Sequence, residues 1–329
     1  MSELGEICVR IVEKVTSCKP LVMCITNLVT PQRVADLLLA TGASPIMIEN
    51  ADEAIMIASI SSAIYINMGL HGGQIPSIKT IEEWKENDNV GDLEEKEKVV
   101  PIVVDPVGYG ASVYRNEVIN DFLLAKKGKE SLGCIKGNAS EITTLAKLLG
   151  GYNEEEEKEK VSTSTTPSSI AISNSEEHKK EERKNQGVDS EGNTSPAIAA
   201  GKYLAKFLRT IVSISGDHDI IISACGTKVT RIRGDNPMMA RFTGSGCALG
   251  AVVAAFLGVT SSSSSGSENG DRYEAVVCAH YLYTAASMLA KSQPQVQGPG
   301  SLSIALADTL FYLSEHPVEM ASYASLEQI

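Results

Sequence analysis

The densest chemical signal in the chain is the segment RFTGSGCALGAVVAAFLG (241–258). Gly244 and Gly246 bracket Ser245, and Cys247 opens a long run of Ala, Val and Leu. Glycine lets the backbone turn tightly and come close to a ligand. A helix start presents unpaired N–H groups and partial positive charge, which together make an anion site. The amides of Gly244, Ser245, Gly246 and Cys247 would then hold a transferring phosphoryl group. At a helix N-terminus the Cys247 thiol is expected to have a lowered pKa, so that a thiolate takes the proton of an alcohol. The alternative is that Cys247 only shapes the pocket, because phosphoryl transfer rests mainly on positioning and charge stabilisation.

Four further positions carry polar chemistry. Asp105, in VVDPVG, ends an apolar strand, and Pro106 and Gly108 form the turn that leaves it. A carboxylate at the C-terminal edge of a parallel sheet suits a magnesium ion that bridges phosphates; the plainer reading is a turn-capping Asp. Asn138 and Glu141, in KGNASEI, stand at the spacing of a capping box, with Asn in the cap role. Asn27 closes an apolar strand and is placed to hydrogen-bond a ring nitrogen or a hydroxyl.

These residues need elements to hold them. PLVMCIT (20–26), SPIMI (44–48), AIYINMG (63–69), VVPIVVDPVG (99–108), LGCIKG (132–137), TIVSISG (210–216) and DIIISAC (219–225) read as strands. They are continuously apolar, as expected of strands covered on both faces. TPQRVADLLLATG (30–42) and SPAIAAGKYLAKFL (195–208) read as helices, each preceded by a capping Thr or Ser. Strand-then-helix repetition predicts βαβ units and a mostly parallel sheet. Residues 87–98 read as a polar loop, and 153–186 and 260–271 as disordered insertions in surface loops, being charged or Ser-rich with little to bury. Similar α and β patterns flank both insertions, so residues 1–329 are expected to form a single domain.

The bulk properties narrow the class. The 329 residues are 43% hydrophobic but only 5% aromatic, which favours tightly packed α/β layers. A net charge of -12 repels phosphate backbones and speaks against nucleic acid as a partner. No apolar run approaches the roughly 18 residues of a membrane span. The start, MSELGEICVRIVEKV, is amphipathic and acidic rather than basic and apolar, so a cytosolic protein is expected. Seven scattered cysteines without a CxxC pair read as reduced thiols, most of them buried.

TGSGC followed by a small-residue helix resembles the anion-hole motif of the ribokinase-like superfamily. Sugar kinases of that group usually carry Asp where this chain has Cys247; cysteine is typical of the thiamin-pathway branch. PLVMCITN (20–27), LLLATGASPIMIENADEA (37–54), VVDPVGYGAS (103–112), CIKGNASEI (134–142), GVDS (187–190), SISGDHD (213–219) and GPGSL (298–302) narrow the resemblance to the hydroxyethylthiazole kinase family. They occur in the family's order and cover almost the whole chain outside the insertions. The resemblance implies a three-layer α/β sandwich and MgATP-dependent phosphorylation of 4-methyl-5-(2-hydroxyethyl)thiazole, a thiamin salvage step. It also implies a homotrimer with active sites between subunits. By residue, it implies Cys247 beside the reacting hydroxyl, Asp105 and Glu141 organising magnesium, and Lys136, Ser215 and Gly246 on ATP. Met47, Gly244 and Asn27 are implied to lie on the thiazole. Read alone, Met47 would be core and Ser215 a turn residue.

The chain departs from the family where Met23 replaces a common His and where Leu70-His71-Gly72-Gly73 replaces a Thr-Leu continuation. Both departures fall near the family's substrate site and leave open a hydroxymethylpyrimidine or other alcohol substrate, or a non-catalytic binding protein. Dehydratases share the expected fold, but they generally carry Asp in the glycine loop, against Cys247 here.

Overall fold

A computed structural model of the chain describes residues 2–69, 72–84, 99–153, 196–260 and 270–329. Helices and strands alternate through the first half: α1 (Glu3–Cys18), β1 (Leu21–Ile25), α2 (Pro31–Ala40), β2 (Ser44–Met47), α3 (Ala51–Ile60), β3 (Ala63–Asn67), α4 (Ile75–Glu83), β4 (Ile102–Asp105), α5 (Val113–Lys126), β5 (Leu132–Asn138) and α6 (Ala139–Leu148). Then come α7 (Pro196–Leu208), β6 (Ile211–Ser215), β7 (His218–Ile222), β8 (Val229–Arg233), α8 (Ser245–Leu257), α9 (Gly270–Ser292), α10 (Pro299–Glu315) and β9 (Ser325–Gln328).

All nine strands join one sheet in the order β2-β1-β3-β4-β5-β6-β7-β8-β9. Neighbours from β2 through β6 are parallel, and β6 through β9 pair antiparallel. Each of the seven expected strands is present. β8 and β9 lie outside that expectation. VTRIR carries Thr230 and two arginines, and SLEQ is largely polar, because these strands lie at one end of the sheet rather than at its covered centre.

The pleat sends successive side chains to opposite faces, which builds the two flanking layers. Cys24, Tyr65, Val103 and Cys134 pack with α1, α2, α8, α9 and α10 on one side. Met23, Ile25, Ile64, Ile66, Ile102, Val104 and Ile135 pack with α3 through α7 on the other. The result is a three-layer, ribokinase-like α/β sandwich. Helix α8 is buried from Ala248 through Leu257, so it is apolar around its whole circumference rather than amphipathic. Its Gly250 admits the ring of Tyr65: a Cβ there would stand 2.6 Å from the ring's Cε2.

Two expectations change. Cys8 of α1 and Cys278 of α9 form a disulfide, so the seven cysteines are not all reduced thiols. Both residues are fully buried where α1 packs on α9, 270 residues apart in sequence, a proximity that spacing could not reveal. Gly270 and Asp271, assigned to the Ser-rich insertion, open α9 instead. The remainder of that tract (261–269), nearly all of the 153–186 insertion, the 87–98 loop and the GVDS motif lie outside the described residues.

Candidate active site

Parallel strands deliver their polar terminal residues to one edge of the sheet. Met47 ends β2, Asn67 ends β3, Asp105 ends β4, Asn138 ends β5 and Ser215 ends β6, while Asn27 follows β1 by two residues. Asn67 is in register with Asp105, and Asn138 with Ser215. The C-terminal edge of such a sheet is where ligands bind in open α/β folds.

The glycine turn closes over that edge. Gly244 caps α8 with φ of 90°, a left-handed conformation that favours glycine. A Cβ there would also crowd Thr30 and Arg33, at 3.1 and 3.2 Å. Ser245 Oγ donates to the carbonyl of Met239 at 2.8 Å, and the Tyr283 hydroxyl donates to the Ser245 carbonyl at 2.7 Å. The turn is thus pinned from two sides, and Ser245 spends its hydroxyl on the chain itself.

Beneath the turn lies a buried polar network. Lys136 Nζ is 3.4 Å from Asp105 Oδ2, and the Tyr65 hydroxyl donates to the same oxygen at 3.2 Å. Asn67 Nδ2 donates to the Tyr65 oxygen at 2.9 Å, and Asn27 Nδ2 donates to Asn67 Oδ1 at 3.0 Å. Asn27 Nδ2 also approaches Cys247 Sγ at 3.8 Å. Thiol and carboxylate therefore belong to one hydrogen-bonded chain. Sequence reasoning had selected its two ends and Asn27, and had missed Tyr65 and Asn67. A tyrosine in an aliphatic strand, whose hydroxyl must find a partner when buried, was the available signal.

Burial pushes the Asp105 carboxyl up to about 6, against the opposing pull of Lys136. Burial works against the Lys136 charge as well, but Asp105 leads the groups that lift its pKa above the ordinary value. Cys247 is the correction here. Its pKa is raised, not lowered: burial is the main cause, Asp105 adds to it, and Lys136 only partly offsets both. A helix N-terminus favours a thiolate by a modest amount that falls off within the first turn, and desolvation outweighs it.

The acidic pair divides its work. Asp105 Oδ1 is buried with no hydrogen-bond partner, an oxygen that suits a cation. Glu141 completes the expected capping box with Asn138, Oε2 accepting from the Asn138 amide at 2.9 Å. Its Oε1 accepts from the Gly108 amide at 3.0 Å. The capping reading of Glu141 therefore holds, and its oxygens retain only their remaining lone pairs for anything else. Among the described residues no three His, Cys, Asp or Glu converge as a metal cage. Magnesium needs none, since it keeps several waters and takes one or two carboxylates plus phosphate oxygens.

A cavity of about 250 Å³ opens beside the turn, with Ser215, Gly216, Asn236, Ser245, Gly246 and Tyr283 on its wall. Ser215 and Gly246 thus line one cavity. Lys136 is not on that wall, but it lies under the turn next to Gly246, where a Cβ would sit 3.2 Å from its Nζ. On the other side, Met47 is half-buried on the edge strand, packed against the cluster that contains α8. Met23 is fully buried on the opposite face of the sheet, so it touches the core and not the site. Of the 70–73 loop, Leu70 and His71 lie outside the described residues.

A three-layer fold with a left-handed glycine turn at a helix mouth, a buried Lys–Asp pair and an adjoining cavity matches a small-molecule kinase of the ribokinase-like class. The family model for the hydroxyethylthiazole kinase family matches residues 12–167 and 172–316. The chain belongs to that family. It is 32% identical over 313 residues to a hydroxyethylthiazole kinase of Brachyspira hyodysenteriae, covering 95% of this chain and 96% of that protein. It is 31% identical over 320 residues to hydroxyethylthiazole kinase 1 of Clostridium botulinum, covering 94% and 95%. The solved hydroxyethylthiazole kinase structure from Pyrococcus horikoshii superposes with a TM-score of 0.70 at 25% identity, covering 98% of this chain and 99% of that one.

Proposed function

We propose that this protein transfers the γ-phosphoryl group of ATP to the primary alcohol of 4-methyl-5-(2-hydroxyethyl)thiazole, a thiamin salvage step. The observation that carries the reading is the left-handed glycine turn at the mouth of α8, with Cys247 beside it and the Lys136–Asp105 pair below. The alcohol oxygen bonds to the γ-phosphorus, the bond from that phosphorus to the ADP oxygen breaks, and the alcohol proton passes to solvent water. Backbone amides of Gly244 through Cys247 hold the moving group, and Lys136 places a fixed positive charge near it. Magnesium, when bound, neutralises the phosphates; Asp105 Oδ1 is the oxygen free to hold it, and Glu141 supports from its capped position. Ser215 and Gly246 face the nucleotide, and Asn27, Met47 and Gly244 face the thiazole.

With its raised pKa, Cys247 is a weak proton acceptor at neutral pH, so its main contribution is the shape of the pocket. A loose phosphoryl-transfer transition state makes little demand on a base.

The assembly proposed is a homotrimer that covers the β2 edge. All four β2 residues are only half-buried, and Leu28, Val29, Met56 and Ile60 are exposed large apolar side chains. A sedimentation mass of three times 35.0 kDa is expected, and a monomer mass at micromolar concentration overturns this part.

ADP release by the purified protein with magnesium, ATP and the thiazole alcohol tests the activity. The hydroxymethylpyrimidine alcohol, run in parallel, should be the poorer acceptor. Ligand-induced thermal stabilisation without ADP release from either alcohol would instead leave a non-catalytic binding protein.

A further inference from the structure

A second buried polar chain lies outside the reacting centre. Ser213 Oγ stands 2.6 Å from His280 Nε2, and His280 Nδ1 stands 2.7 Å from Asp219 Oδ2. The other oxygen, Asp219 Oδ1, accepts from the Gly216 amide at 3.1 Å. Ser213 and His280 are fully buried, and Asp219 is 8% exposed. The sequence of hydrogen bonds, Ser to His to Asp, has the order used in acyl-transfer triads. Here it cannot supply a nucleophile, because Ser213 has no exposed surface and is not on the cavity wall.

Its geometry serves something else. Ser213 lies on β6, Asp219 on β7 and His280 on α9, so the chain joins three elements. The hairpin tip between β6 and β7 carries Ser215, Gly216 and Asp217, all on the wall of the 250 Å³ cavity. Thr284 and Ser287, four and seven residues beyond His280 on the same face of α9, line the cavity opposite. Asp219 is itself on the wall, but both of its oxygens are engaged with the protein. A carboxylate that binds a backbone amide with one oxygen and a helix-borne imidazole with the other sets the distance between hairpin tip and helix. The Ser213 hydroxyl completes the chain in either protonation state of the ring, as donor to Nε2 or as acceptor from it.

We propose that His280 is a positioning residue for the nucleotide: by clamping Asp219 against β6 and α9, it holds the Gly216 hairpin tip at the spacing the nucleotide requires. The inference rests on the reading of this cavity as the ATP site. It does not involve the thiazole side or the Lys136–Asp105 pair.

The test uses the full chain with ADP as the binding probe, measured by calorimetry, alongside KM for ATP and for the thiazole alcohol. His280→Leu removes both hydrogen bonds and is expected to weaken ADP binding and raise KM for ATP by about tenfold, as outer-shell losses do. KM for the alcohol should not rise with it, because Asn27, Met47 and Gly244 are not on this cavity's wall. His280→Asn keeps a donor near the Nδ1 position and should recover most of the loss. Unchanged ADP affinity in a folded His280→Leu variant overturns the proposal, as does a proportional loss for both substrates with no recovery by Asn. Should His280→Leu not fold, Ser213→Ala decides: a smaller loss confined to the nucleotide supports the clamp, and none refutes it. A wild-type protein that does not bind ADP would instead overturn the nucleotide reading itself, a result distinct from failure of the clamp.

Discussion

Cys247 and Asp105 show how burial changes the role of a residue. The thiol sits at a helix N-terminus, yet its desolvated position keeps it protonated at neutral pH. Cys247→Ser is therefore expected to reduce kcat by less than about tenfold, below the range of a working general base. A loss beyond about a hundredfold, with KM unchanged, would restore the base role. Asp105→Asn removes the only carboxylate oxygen among the described residues that is buried without a partner, and kcat should fall by at least about a hundredfold, measured at saturating ATP. Asp105 also links pH to stability. Its folded pKa of about 6 lies above the ordinary 3.8, so the folded state holds the proton more tightly. That contribution is fully present below about pH 4 and is lost as pH rises through 6. Urea unfolding of wild type and Asp105→Asn across that window checks the sign: the variant should lack this decline.

At the level of elements, close approach and capping set the site. Gly250 lets α8 lie against Tyr65, whose hydroxyl reaches Asp105 at 3.2 Å. The added methyl of Gly250→Ala meets an aromatic ring held in the core, not a flexible chain end. A destabilisation of about 1–3 kcal/mol is expected by denaturant titration, with kcat lowered because Tyr65 must shift. Asn138→Ala opens the capping box of α6, at a cost of about 1 kcal/mol. The Asn138 and Gly108 backbone amides still hold the two Glu141 oxygens in this variant, because only the bond from the Glu141 N–H to Asn138 Oδ1 is lost, so activity should fall no further than the stability change accounts for.

Across the whole molecule, the sheet brings residues from the ends of five strands and from the turn after β1 to one edge, and the two helical layers bury the strands beneath it. The disulfide ties α1 to α9 across the layer that contains α8. Unfolded in denaturant without reductant, the protein should show five titratable thiols, rising to seven after reduction. Seven thiols without reductant would mean that Cys8 and Cys278 are merely adjacent.

Much of this was legible in the chain itself. The continuous apolar runs announced covered parallel strands, because a strand buried on both faces has no polar alternation to show. The TGSGC turn, Asp105 at a strand end and the Asn138–Glu141 spacing announced a glycine turn at a helix mouth and a capped helix, since turns and caps are local in sequence. What only the tertiary structure decided is what distant segments do to one another. Desolvation of the Cys247 thiol, the wedging of Tyr65 against Gly250, the removal of Met23 to the far face, the Cys8–Cys278 bond and the Ser213–His280–Asp219 chain all join residues far apart in sequence. Their energies depend on burial and distance, and neither exists until the chain has packed.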